Sequence, residues 1–131
     1  MPTTHSSRRM FRRRAVQLEV SITLRPPKAI QKSTVDSGLT LVGRSRDISE
    51  TGIALIVSAN NIDRYFKQKD STFLIQIKLP AARLQFKALP VYFKKFAAGG
   101  VVNYLIGSCF TDPDPNQLSQ LKRFLHSLPP I

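Results

Sequence analysis

Val16, Leu18, Val20, Ile22 and Leu24 alternate with Gln17, Glu19, Ser21 and Thr23, a period of two that predicts a half-buried strand over 16–24. Arg25-Pro26-Pro27 ends it, because proline has no N–H for a strand ladder. After a polar connection to Gly38, the pattern predicts strands over 39–48 and 52–58. The rhythm breaks over 58–70, where Ile62, Tyr65 and Phe66 recur at helical spacing and predict a short turn of helix. Strands return over 72–79, closed by Pro80, and over 84–94, where Pro90 predicts an edge position or a bulge. Ala97-Ala98-Gly99-Gly100 turns the chain into a sixth strand over 102–110.

The grammar then changes. Asp112-Pro113-Asp114-Pro115 puts proline and acid where a helix N-terminus favours them, and Leu118, Leu121, Phe124, Leu125 and Leu128 form one apolar face before Pro129-Pro130 stops the helix. Six short strands with no alternation of strand and helix imply an all-β fold, a six-stranded antiparallel barrel with one C-terminal helix over 113–128 to cover an apolar surface. Closing the sheet also removes its open edges.

At 131 residues and 42% hydrophobic, the chain is long enough and apolar enough for one domain with its own core. Residues 1–7 are small and polar and read as a disordered tail, followed by a domain over 8–131. Charge sharpens the picture. Twenty Lys and Arg against eight Asp and Glu give a net +12, which points to an anionic partner. Five arginines surround Phe11 within residues 8–14, too densely charged for a stable isolated structure, so residues 8–15 are expected to be a flexible basic arm over a barrel spanning 16–110.

Cys109 is the only cysteine, which excludes an internal disulfide, and its apolar surroundings suggest a buried, inert thiol. No apolar run approaches a membrane span, and no hydrophobic segment of a secretory signal follows the N-terminal arginines, so the expected location is the cytoplasm. Metal-ligand spacings, nucleophile motifs and phosphate-binding glycine loops are absent from the sequence, and both histidines, His5 and His126, stand alone. Those absences argue against an enzyme and against a metal or other cofactor.

Asp47-x-Ser49-x-x-Gly52 lies between the second and third strands. Taken alone it serves as a hairpin turn, since Asp and Ser bond locally to backbone and glycine turns freely. Paired with Arg9-x-x-x-Arg13 just before the first strand, it resembles the signature of the PilZ domain family, whose two motifs in this order bind the bacterial second messenger cyclic di-GMP. The resemblance spans Arg8 to Leu128 and takes in Ile77-Lys78-Leu79-Pro80, Leu89-Pro90-Val91, Ile106-Gly107-Ser108-Cys109-Phe110 and the terminal helix. It implies a six-stranded barrel with a C-terminal helix and a ligand site formed by Arg9, Arg13, Asp47, Ser49 and Gly52. An arginine at the position of Arg8 goes, in that family, with an intercalated dimer of the ligand.

The residue types suit such a ligand. A guanidinium bonds phosphate or the guanine O6/N7 edge in bidentate fashion, and it stacks on bases. Asp47 can accept from guanine N–H groups, Ser49 can add a hydroxyl contact, and Gly52 permits a turn and a close approach. Arg12, Arg14, Arg44 and Arg46 would add general positive potential. Two other readings use the same features: a basic small barrel that binds nucleic acid with Tyr65, Phe66, Tyr92 or Phe93 as stacking platforms, and a PilZ-like adaptor that binds no nucleotide. The apolar setting of those aromatics favours the core over a platform. The downstream protein partner is not encoded in any motif.

Overall fold

The computed structural model describes residues 14–24, 39–60, 62–66 and 72–128. The strands are β1 (Arg14–Ala15), β2 (Glu19–Leu24), β3 (Leu39–Ile48), β4 (Gly52–Ser58), β5 (Phe73–Lys78), β6 (Arg83–Ala98) and β7 (Val101–Thr111), followed by helix α1 (Pro115–Ser127). Antiparallel pairing runs β3–β2–β5–β6–β7–β4, and β4 pairs again with β3 to close the ring. This is the expected six-stranded barrel. The two-residue β1 is an addition to it, laid along β3 beyond the end of β2 with Arg14 opposite Ile48 and Ala15 opposite Asp47.

Alternation fills the interior: Val20, Ile22 and Leu24 of β2 face in with Phe73, Ile75 and Ile77 of β5. Ile53, Leu55 and Val57 do the same on β4, and Ile106 on β7. The first predicted strand is shorter than its pattern. Alternation runs from Val16, but the ladder begins at Glu19, because residues 16–18 are held by one side chain instead of by a neighbouring strand. Buried Ser45 accepts a bond from the Leu18 N–H at 2.9 Å and donates to the Val16 carbonyl, while its own N–H donates to the Leu18 carbonyl at 2.9 Å. One hydroxyl thus stands in for two ladder bonds.

Two bulges interrupt the barrel wall. On β3 the pairing with β4 jumps between Ser45↔Leu55 and Asp47↔Ala54, leaving Arg46 as the extra residue. On β6 the pairing with β7 jumps between Pro90↔Ser108 and Tyr92↔Gly107, leaving Val91 over. Pro90 therefore marks a bulge, as its missing N–H suggests. Each extra residue reverses the in–out phase of the strand beyond it. Past its bulge, β6 runs with β7 to a two-residue turn at Gly99 and Gly100, whose φ values of 61° and 78° suit a hairpin turn that few other residues tolerate.

Asp114 caps α1, its carboxylate accepting from the Gln117 N–H at 3.1 Å, with Pro115 in the first turn. Leu121 and Leu125 are buried in the core, and Leu118, Phe124 and Leu128 pack against it, which matches the apolar face of the sequence. Ile62 and Tyr65 are buried around the short 3-10 turn Asp63–Tyr65, and Phe66 stacks on Phe93 at 4.6 Å. Cys109 departs from expectation: it is half-buried, because it lies on the outer phase of β7, paired with Leu89 and Gly52. Tyr92 departs too, turned out of the core by the β6 bulge. No helix among the described residues is long and apolar enough to cross a membrane.

Tyr104 is fully buried and its hydroxyl donates to Oδ1 of Asp63. Burial raises its pKa above the ordinary tyrosine value, and the hydrogen bond and negative charge of Asp63 add to this, opposed by a backbone bond to Ile62. The folded state therefore favours the neutral phenol. Stability from this residue is complete below about pH 10, where an unfolded tyrosine ionises, and is lost as pH rises through the higher folded value. Urea unfolding at neutral and alkaline pH should show a smaller alkaline loss in Tyr104→Phe than in the wild type. Equal losses would rule out this linkage.

Candidate functional site

The β3 bulge decides where Asp47 points. Without Arg46 as an extra residue, Asp47 would share a face with Ser45 and enter the core. With it, Ser45 and Ile48 both face inward and Asp47 lies on the outer wall opposite Ala54. Its side chain is only 14% exposed, and Oδ2 accepts from Nε of Arg46 at 3.0 Å. The bulged arginine thus shields and neutralises one carboxylate oxygen at the surface.

The turn after Asp47 is internally bonded. The Ser49 N–H donates to the Gly52 carbonyl at 2.9 Å, and Ser49 Oγ accepts from the Thr51 N–H at 3.2 Å and lies 3.0 Å from the Thr51 hydroxyl. Ser49 is buried, so the structure engages its hydroxyl in shaping the turn. The Thr51 carbonyl accepts from the Phe110 N–H at 2.8 Å, and Glu50 reaches Lys122 of α1 at 3.4 Å. Neighbouring β7 and α1 hold the loop from outside.

Gly52 is present for a reason other than turning. Its φ is not positive; the described glycines with positive φ are Gly99 and Gly100. A Cβ at Gly52 would stand 2.1 Å from the Ser108 carbonyl oxygen and 3.1 Å from Cys109 Cα. Close approach of β7, rather than backbone freedom, requires the glycine.

Arg8, Arg9 and Arg13 lie outside the described residues, as do the tail over 1–7 and most of the arm. The arm's end is described: Arg14 and Ala15 form β1, paired with Ile48 and Asp47. Residues 14–15 are therefore strand rather than free arm. Arg13 directly precedes Arg14 in sequence. Arg14 and Ala15, the described end of the arm, thus lie beside Asp47 at one edge of β3. Arg44, on the exposed face of β3, and Arg46 add positive charge there.

The remaining candidates separate cleanly. Tyr65 is buried and Phe66 and Phe93 pack on the core, but Tyr92 is 42% exposed on the outer wall. His126 is exposed on α1. Among the described residues no cluster of His, Cys, Asp or Glu could hold a metal ion.

The architecture is a closed antiparallel barrel whose outer wall carries the Asp47 turn with the end of the arm beside it. The PilZ domain family model matches residues 7–127, and the chain belongs to that family. Solved structures agree with the fold. The PilZ domain of YcgR from Escherichia coli with c-di-GMP is 17% identical at a TM-score of 0.62, with 92% of this chain and 91% of that one covered. The inhibitor of motility from Bacillus subtilis is 15% identical at a TM-score of 0.57, covering 92% of this chain and 53% of that one. The MrkH–c-di-GMP complex of K. pneumonia is 14% identical at a TM-score of 0.62, covering 90% of this chain and 51% of that one. No curated protein matches.

Gly52→Ala tests the turn's packing. The colliding atom is a backbone carbonyl, which cannot rotate away as a side chain would. Unfolding in urea should show a loss of about 1–3 kcal/mol; a loss below about 0.5 kcal/mol would mean the approach of β7 is not a constraint.

Proposed function

We propose that this protein is a receptor for cyclic di-GMP, binding the dinucleotide between the arginine arm and the Asp47–Gly52 turn. The observation that supports this most directly is the pairing of Arg14 and Ala15 with Ile48 and Asp47, which ties the arm to the turn. Family membership and the cyclic di-GMP named for two of the similar structures support it further.

In this reading Arg9 and Arg13 take phosphate oxygens or guanine O6/N7 edges, where a planar fork is worth more than a point charge. Asp47 accepts from guanine N1–H and N2–H, with Oδ2 shared between the base and Arg46. Ser49 shapes the turn beside the bases, and Gly52 keeps that turn close against β7. Arg8 extends the positive arm to a second, intercalated ligand. The protein acts in the cytoplasm by binding and not by catalysis.

Signal output follows from ordering. An arm drawn down onto the barrel by a dianionic ligand changes the surface offered to a downstream protein. Calorimetry with cyclic di-GMP at moderate and high salt should give binding that Arg9→Ala/Arg13→Ala abolishes, while GTP and single-stranded DNA bind weakly or not at all. With ligand bound, amides of residues 8–15 should gain protection from hydrogen exchange. Tight, salt-sensitive DNA binding without cyclic di-GMP binding would instead make the barrel a nucleic-acid module. Binding without added protection would remove the arm from the signalling step.

A further inference from the structure

We infer that Tyr92 is the far wall of the ligand site, a stacking platform for a guanine base that sets affinity across the barrel surface; this rests on the receptor reading. Strand register connects it to the turn. Asp47 on β3 pairs with Ala54 on β4, Ala54 with Gly107 on β7, and Gly107 with Tyr92 on β6. These residues form one continuous row across four strands on the outer face. Ala54 falls between the inward-facing Ile53 and Leu55 on β4, which fixes the outer face on which the row runs, and its own surface is fully covered.

Both ends of the row are created by bulges. On β6, Leu84, Phe86 and Ala88 are buried at even positions, so an uninterrupted strand would bury residue 92 as well. The extra residue Val91 reverses the phase, sending Phe93 into the core and Tyr92 out. On β3, the extra residue Arg46 does the same for Asp47. Bulges that re-aim side chains gather beside functional sites. Here two of them aim one carboxylate and one aromatic ring at opposite ends of a single row.

Between those ends stand the two smallest residue types, Ala54 and Gly107. The Tyr92 ring folds down over Gly107, so that a Cβ there would lie 2.2 Å from Tyr92 Cε2. The ring therefore leans across β7 toward Asp47. Neighbouring strands lie about 4.8 Å apart, which puts the ring roughly 10 Å from the β3 end of the row, a separation that calls for a two-base ligand. The next row on the same face, Arg44–Ile56–Leu105–Lys94, places a cation at each end of a half-buried apolar strip. Carboxylate, aromatic face and flanking cations complement guanine edge, guanine plane and phosphate.

Tyr92 is outside the core, so its replacement leaves the fold intact, as thermal melting would verify. Calorimetry with cyclic di-GMP should show Tyr92→Phe within about twofold of wild type. Tyr92→Leu, which keeps apolar bulk but removes the π face, should bind about tenfold more weakly. The chain has no tryptophan, so Tyr92→Trp introduces a single reporter whose emission should change with the binding isotherm. Wild-type binding lost in Asp47→Ala but unchanged in Tyr92→Leu would overturn the Tyr92 assignment and leave the receptor reading standing. So would a Tyr92→Trp variant that binds with no change in emission. Failure of the wild type to bind would overturn the receptor reading itself.

Discussion

The extra residue in β3 is the constraint on which the site depends. A strand of strict period two cannot bury both Ser45 and Ile48 while holding Asp47 at the surface, and the bulge at Arg46 resolves that conflict. The bulge is in turn fixed by Ser45, whose hydroxyl accepts from Leu18 and donates to Val16 across the gap where the β2 ladder has not yet begun. Both partners are backbone groups whose loss as buried bonds costs about 1–3 kcal/mol apiece if left unsatisfied. The same bridge holds residues 16–18 against β3, so that β1 continues along the edge of β3 to Asp47. One buried serine therefore bears on both the aim of the carboxylate and the path of residues 14–18 along β3.

Around that point the turn is rigid by construction. Its hydroxyls bond inward, its Thr51 carbonyl is tied to β7, and Gly52 lets the Ser108 carbonyl come close. The Glu50–Lys122 pair links the turn to α1 but is partly exposed and adds little energy. In the proposed receptor, a turn already fixed in this way would leave binding energy to be spent mainly on the arm.

Much of this was legible in the residues. Alternation marked the first barrel strand, strand-like runs between turn residues marked the other five, and the Pro-Asp-Pro sequence with its leucine face marked the helix. Pro90 announced an edge position or a bulge because proline leaves a donor missing, and the bulge is what the strand pairing has. Arg46 announced nothing, since any residue can be the extra one, and what fixes it is a serine bonded to residues 27 and 29 positions away. The same non-locality hid β1, whose strand pairing rests on two residues. Tyr92 read as core because its neighbours are apolar, and only the phase reversal at Val91 places it outside. Cys109 followed the same logic, on an outer position within an apolar run. Gly52 was legible as a required glycine, but its reason, the Ser108 carbonyl on β7, lies far along the chain.

The proposed receptor requires arm and turn to hold one ligand together. The decisive experiment is a double-mutant cycle on cyclic di-GMP affinity with Arg13→Lys and Asp47→Asn, variants mild enough to keep binding measurable. If both residues hold one ligand in one geometry, the paired loss should differ from the sum of the single losses by about 0.5 kcal/mol or more. Strictly additive losses, or no loss from either change, would contradict a shared site and leave the arm and the turn as separate features of the barrel.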